Sequence, residues 1–194
     1  MEFDIIIVGA GLSGSYLAKK INGHGLNALI IEKSKNIGGR FATKPVGRGL
    51  ADYGCQYLKP KTEELSALIK DLKNKNLIEK SNILQDEEAF ISPYGMNKIP
   101  QYLSLGVSTL LNQKVCSIKK NSNHWEIRTN SFLLKSKILV LTMPINQVSE
   151  LLKASNIALT DMPTAKYKSF YTITLQNMDT IGSKPVLKND FSPW

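Results

Sequence analysis

Gly9, Gly11 and Gly14 follow directly on the run Asp4-Ile5-Ile6-Ile7-Val8; Glu32 stands 18 positions beyond Gly14, and Gly38-Gly39-Arg40 comes six to eight positions after Glu32. These residue types at this spacing suit a dinucleotide. Gly9 permits a tight turn out of a strand, Gly11 lets the backbone approach a diphosphate, and Gly14 lets the following helix pack hard on that strand. The unpaired amides and the dipole at the start of such a helix favour negative charge. A carboxylate at the tip of the next strand can accept hydrogen bonds from both hydroxyls of an adenosine ribose, and its charge disfavours the 2′-phosphate of NADP. Three glycines alone could serve ordinary turns; the apolar run before them and the placed acid make the stronger signal.

The elements that must hold these residues can be read from periodicity. The apolar run into Gly9 reads as a strand buried on both faces, as in a parallel sheet. A helix starts near Leu12, with Leu17, Ala18 and Ile21 on its inner face, and Gly23 and Gly25 punctuate its end. A second apolar strand runs from Ala28 to Ile31 and delivers Glu32. Beyond it the pattern predicts a helix over Thr62 to Asn74 and short strands over Ile83 to Gln85 and Ala89 to Ile91, with Asp86-Glu87-Glu88 as a solvated turn between them. A helix over Asn97 to Leu105 follows, then strands over Val115 to Lys119 and Trp125 to Arg128 joined by Asn121-Ser122-Asn123. A strand over Ile138 to Thr142 is stopped by Pro144, a helix covers Ile145 to Lys153, and a last alternating strand covers Lys168 to Gln176. Antiparallel strands inserted among parallel ones predict an α/β fold of Rossmann type with an inserted β-meander and part of a mixed-sheet substrate domain. Residues 1–60 and 105–160 would form the dinucleotide-binding domain, and 61–104 with 161–194 the substrate side.

Composition narrows the function classes. The 194 residues are 42% hydrophobic and 21% charged, an ordinary globular balance large enough for a proper core. The net charge of +9 comes almost wholly from lysine, since only Arg40, Arg48 and Arg128 of the 25 basic residues are arginine. Those lysines are dispersed rather than interleaved with aromatics on one face, so neither nucleic acid nor a membrane surface is the expected partner. No apolar run reaches membrane-spanning length and no secretory signal is visible. Cys55 and Cys116 form no CxxC, which argues against a redox dithiol and fits a reduced, cytoplasmic setting. His24 and His124 fall in polar turns with no partner at ligand spacing, so no metal site is expected. Phe90, Tyr94, Tyr167, Phe170 and Tyr171 could line a cavity, although core packing suits most of them better.

Several motifs resemble those of renalase-like flavoproteins in the amine-oxidase superfamily. They are Gly39-Arg40-Phe41-Ala42-Thr43, Asp52-Tyr53-Gly54-Cys55-Gln56-Tyr57, Ser92-Pro93-Tyr94-Gly95-Met96, Trp125-Glu126 and Leu139-Val140-Leu141-Thr142-Met143-Pro144. The resemblance implies FAD as cofactor, held by Gly9, Ala10, Gly11, Leu12, Ser13, Gly14, Glu32, Lys33, Gly39 and Arg40. It places Gln56 and Tyr57 near the isoalloxazine ring, Val115 against adenine, and Thr142 with Pro144 over the adenosine half. It implies hydride transfer from a dihydronicotinamide or an amine to flavin, with oxygen as reoxidant and no catalytic acid–base residue. The resembling enzymes continue past Trp194 with a Gly-Asp-containing turn that returns to the flavin. The resemblance therefore implies a chain short at its C-terminus, acting as a homo-oligomer or with a partner chain that covers the missing part. The alternatives are a catalytically incompetent nucleotide-binding remnant and an NAD-binding dehydrogenase domain.

Overall fold

A computed structural model of the chain describes residues 2–82, 84, 87–161, 163–167 and 172. Its centre is a six-stranded sheet in the order β7-β2-β1-β10-β9-β8. β1 (Glu2–Val8), β2 (Ala28–Ile31), β7 (Ser108–Leu110) and β10 (Leu133–Leu141) run parallel. β8 (Val115–Lys120) and β9 (Trp125–Thr129) complete the sheet as an antiparallel meander leading into β10.

The apolar run of β1 is divided between the two faces of the sheet core by the period-two alternation of a strand. Ile5 and Ile7 pack with Ile30 against Ala18 of α1 (Leu12–Ile21). Ile6 and Val8 face the other way, with Leu29 and Ile31, onto Leu151 and Leu152 of α4 (Ile145–Ala154). Ile6, Ile7 and Ile30 are fully buried. Each such side chain is worth about 1.5–3 kcal/mol on burial, which anchors the middle of the sheet.

A second core lies beside α1 and away from the sheet. It joins Phe41 and Leu58 to Leu68, Ile69 and Leu72 of α2 (Glu63–Asn74), and to Phe90 of β6 (Ala89–Ile91). Met96, Ile99 and Leu103 of α3 (Lys98–Leu103) and its approach close it. Leu12 and Tyr16 of α1 pack against this core as well, so α1 is the shared wall between the two. Thr62 caps α2 by accepting the Leu65 amide, with Glu63 and Glu64 in the first turn suiting the helix dipole.

Two expected strands are corrected and two further elements appear that no expectation covered. The strand that pairs with β6 is β5 (Glu79–Ser81), not Ile83–Gln85 (residues 83 and 85 lie outside the described ones). Glu79-Lys80-Ser81 has no alternation to reveal it; pairing with the buried Phe90 segment makes the strand. β10 begins at Leu133 rather than Ile138, because Lys135 and Lys137 on its exposed side interrupt the apolar pattern. A hairpin of β3 (Thr43–Val46) and β4 (Gly49–Asp52) was not foreseen, since Pro45 argues against a strand; a two-stranded edge tolerates it. The short β7 went unread. The strand expected over Lys168 to Gln176 lies outside the described residues apart from Thr172.

Candidate dinucleotide site

Val8, Ile31 and Leu141 end three neighbouring parallel strands on the same edge of the sheet. β2 lies on one side of β1 and β10 on the other, so the chain reverses its direction of travel across the sheet here, the place where α/β folds bind ligands. A cleft of about 1440 Å³ opens at this edge. It runs from α4 and Val115, past the glycine turn, to Tyr57 and the start of α2.

The glycine turn is held from behind. Gly9 has φ +109°, a conformation that glycine adopts freely, and its amide donates to Ile31 O at 2.8 Å. A Cβ on Gly14 would sit 2.0 Å from the Gly9 carbonyl oxygen, so α1 is pressed onto the turn as closely as a bare backbone allows. The Thr142 hydroxyl lies 2.9 Å from Val8 O and 3.1 Å from Gly9 O, and fills the space behind both glycines. α1 then starts with no side-chain cap and no acid in its first turn. Its first intrahelical donor is the Ser15 amide, bonded to Gly11 O at 3.0 Å, which leaves the preceding amides turned towards the cleft.

The second glycine segment closes onto the first. The Gly38 amide donates to Ala10 O at 2.9 Å. Gly39, at φ +55°, lies so near that a Cβ there would be 3.0 Å from the Gly11 Cα. Arg40 follows with its side chain exposed on the cleft wall. Behind it, a Cβ on Gly54 would fall 2.1 Å from Arg40 O, and the Cys55 amide donates to the same oxygen at 2.7 Å. The segment from Gly54 to Leu58 is thereby laid along the cleft.

Glu32 is buried, yet it is not a free charge. One carboxylate oxygen accepts the Ala10 amide at 2.8 Å and the other the Ser34 amide at 2.8 Å. Each oxygen keeps a further lone pair, enough to take one ribose hydroxyl apiece. The acid and the phosphate turn are therefore one hydrogen-bonded unit.

Of the nominated residues, Gly9, Gly11, Leu12, Ser13, Glu32, Lys33, Gly39, Arg40, Gln56, Tyr57, Val115 and Thr142 all line the cleft. Ala10 and Gly14 do not; they act from behind, through the Glu32 bond and the helix contact. Pro144 lines the wall beside α4, and Lys33 reaches Gln147 of that helix at 3.1 Å. Gln113, Gln147, Glu150 and Lys59, which no spacing along the chain relates to the glycine turn, line the cleft from distant elements. The aromatic set fared differently: Phe90 is core, while Tyr94 and Tyr167 are exposed. Tyr167 accepts the Ile145 amide at 2.9 Å and so caps α4; Phe170 and Tyr171 lie outside the described residues. Among the described residues, the aromatic rings on the cleft wall are those of Phe41 and Tyr57. Burial, seconded by Asp52, pushes the Cys55 thiol up to about 11, which keeps it protonated and inert at neutral pH. Among the described residues no His/Cys/Asp/Glu group could hold a metal ion, and no helix is long and apolar enough to cross a membrane.

Comparison with known proteins agrees with this geometry. Residues 7–72 match the profile of the NAD(P)-binding Rossmann-like domain family. The chain is 28% identical to the putrescine oxidase of Kocuria rosea over 95 residues, 49% of this chain and 19% of that protein. It is 31% identical to the flavin-containing amine oxidase A of Sus scrofa over 70 residues, 36% of this chain and 13% of that one. A solved putrescine oxidase superposes with a TM-score of 0.67 at 14% identity, covering 78% of this chain and 60% of the other. The matches thus take in only part of each relative's length. The chain is an α/β protein built on a Rossmann-like dinucleotide-binding fold, and its similarity lies with the flavin amine oxidases.

Proposed function

We propose that this chain binds FAD across β1, α1 and β2 and forms the cofactor-binding part of a renalase-like oxidoreductase. The observation that carries the reading is the joint between the two glycine segments, where Gly39 sits on Gly11 and Gly38 is tied to Ala10. That joint brings the uncapped start of α1 and Arg40 to the wall of the same cleft, a donor set that fits a diphosphate. The ribose fits the two lone pairs left on Glu32. Val115 and Thr142 line the adenosine side, and Gln56 and Tyr57 the stretch beyond Arg40 where a ring system continuing from the diphosphate would lie. Several similar proteins are named flavin-containing amine oxidases and one an FAD-dependent oxidoreductase, which favours FAD over NAD.

When bound, FAD would supply the two-electron chemistry, as hydride acceptor for a substrate carbon with oxygen as reoxidant. The residues of this chain bind and orient: the turn amides and Arg40 fix the diphosphate, Glu32 fixes the ribose, and Phe41 with Leu58 backs the cleft with apolar surface that excludes water. No side chain is assigned a proton transfer. The proposed substrate is a small molecule, a dihydronicotinamide or an amine.

Absorption spectroscopy of the purified chain after incubation with FAD tests the reading. A flavin spectrum that survives gel filtration and bleaches with reductant is expected. A colourless protein that takes up no FAD under native conditions would overturn it.

A further inference from the structure

Resting on the FAD reading above, we propose that Asp52 is a positioning residue for the cleft: its carboxylate sets Arg40 and the Gly54–Tyr57 wall in their working places, so that one cofactor is held at both its diphosphate and its ring end. Neither Asp52 nor Thr43 lines the cleft. The two face each other as the base pair of the β3–β4 hairpin. The residues on the outer sides of that pair are the ones that reach the cleft. Arg40 and Phe41 lead into Thr43, and Gly54 to Tyr57 lead out of Asp52.

One carboxylate oxygen ties that base pair to the second core. Asp52 Oδ1 accepts the Thr43 hydroxyl and, at 2.9 Å, the Met96 amide; Thr43 Oγ1 accepts the Asn97 amide at 3.1 Å. Met96 is fully buried, and Asn97 is the N-cap of α3. Gly95, at φ +91°, lies so near that a Cβ there would fall 2.6 Å from Thr43 Cγ2, so the joint is close-packed. On the cleft side the two arms of the hairpin are clamped to each other. The Tyr53 amide donates to Ala42 O at 3.3 Å and the Cys55 amide to Arg40 O at 2.7 Å. The Cys55 thiol donates to Tyr57 O at 3.1 Å and draws in the turn that carries Gln56. Arg40 and Gln56 thus hang from one anchored pair. Removing the carboxylate orphans the Met96 amide and releases Thr43. A bond that only added stability would weaken FAD through the whole fold; one that aims Arg40 loses most of its effect once Arg40 is gone.

Calorimetric titration of FAD into Asp52→Ala, Arg40→Gln and the double variant separates the two cases. Asp52→Ala should weaken FAD about tenfold, the size of one charge-assisted hydrogen bond, and Arg40→Gln at least as much. Adding Asp52→Ala to Arg40→Gln should then cost less than about threefold more. Asp52→Asn keeps an oxygen that can accept both donors and should bind FAD within about twofold of the natural chain. Thr43→Val, a milder cut in the same joint, should weaken FAD severalfold and serves if Asp52→Ala does not fold. Cys55 gives a readout that needs no cofactor. An aromatic disulfide reagent should modify it severalfold faster in Asp52→Ala than in Asp52→Asn, both of which lack the charge, with exposed Cys116 reacting equally in each. Undiminished FAD affinity in Asp52→Ala, or losses that add in full in the double variant, would overturn the inference and leave the flavin reading intact. A natural chain that takes up no FAD would end the flavin reading instead. The Cys55 rates would then decide alone whether Asp52 holds the wall, and equal rates in the two variants would count against it.

Discussion

At the Gly9 and Glu32 end of the cleft, the proposed cradle for the diphosphate is largely backbone of residues 8 to 40, joined by the side chains of Glu32 and Arg40. At the Tyr57 end the wall is made of side chains brought from separate elements. That end stands on the second core and on long-range bonds such as Met96 N to Asp52 Oδ1 at 2.9 Å and Asn97 N to Thr43 Oγ1 at 3.1 Å, with Thr43 also bonded to Asp52. A site made of backbone can change only by changing its glycines. A site made of side chains can be retuned one residue at a time without disturbing the cofactor. The difference separates what the fold must conserve physically, the cradle, from what can vary, the substrate end.

Perturbing each end should therefore have different consequences. Leu72 is fully buried at the centre of the second core. Leu72→Ala should cost about 2–5 kcal/mol of stability, lowering Tm by about 2–4 °C per kcal/mol, with a smaller loss of FAD affinity. A larger loss of affinity than of stability would show that the second core, and not the sheet edge, holds the cofactor. Gly14→Val does the reverse. Its Cβ would meet Gly9 O at 2.0 Å and lift α1 from the turn, so calorimetry should show FAD affinity reduced about 100-fold or more, near the upper range of overpacking. Unchanged affinity would mean that the close helix contact does not aim the amides.

Glu32→Ala sharpens the comparison, because it leaves the amides of Ala10 and Ser34 without their acceptor as well as removing the ribose partner. A loss of about 1–3 kcal/mol in stability is expected even without ligand. An effect confined to the ligand-bound protein would uncouple the acid from the turn. The smallest effect is a pH one, far from the cleft. The hydrogen bond from Lys137, then the amide of Asn27, holds the Asp4 carboxyl below its ordinary 3.8. A lowered carboxyl contributes stability above its unfolded value and loses it as pH falls through its folded one. Urea midpoints at pH 7 and pH 3 should thus differ slightly less in Asp4→Asn than in the natural chain.

The same contrast explains what could be read in the chain beforehand. The meeting of Gly9, Gly11, Glu32 and Arg40 at one cleft edge was legible because it follows from local backbone geometry over a short span, where spacing is distance. Lys59 with Glu87, and Gln147 against Lys33, were not: pairs separated along the chain acquire meaning only when tertiary packing sets them side by side. β5 and β3 were missed for a related reason, since pairing partners rather than their own patterns make them strands. Thr142 was legible as a residue of this edge, and its hydroxyl braces the glycine turn from behind.

The central claim is that the first β–α–β unit cradles the diphosphate of FAD. Calorimetric titration of the purified chain with FAD and, separately, with NADH tests it most directly. Saturable binding of FAD, tighter than that of NADH and weakened about 100-fold or more in Gly14→Val, is the predicted result. Preference for NADH, or heat from neither, would contradict it.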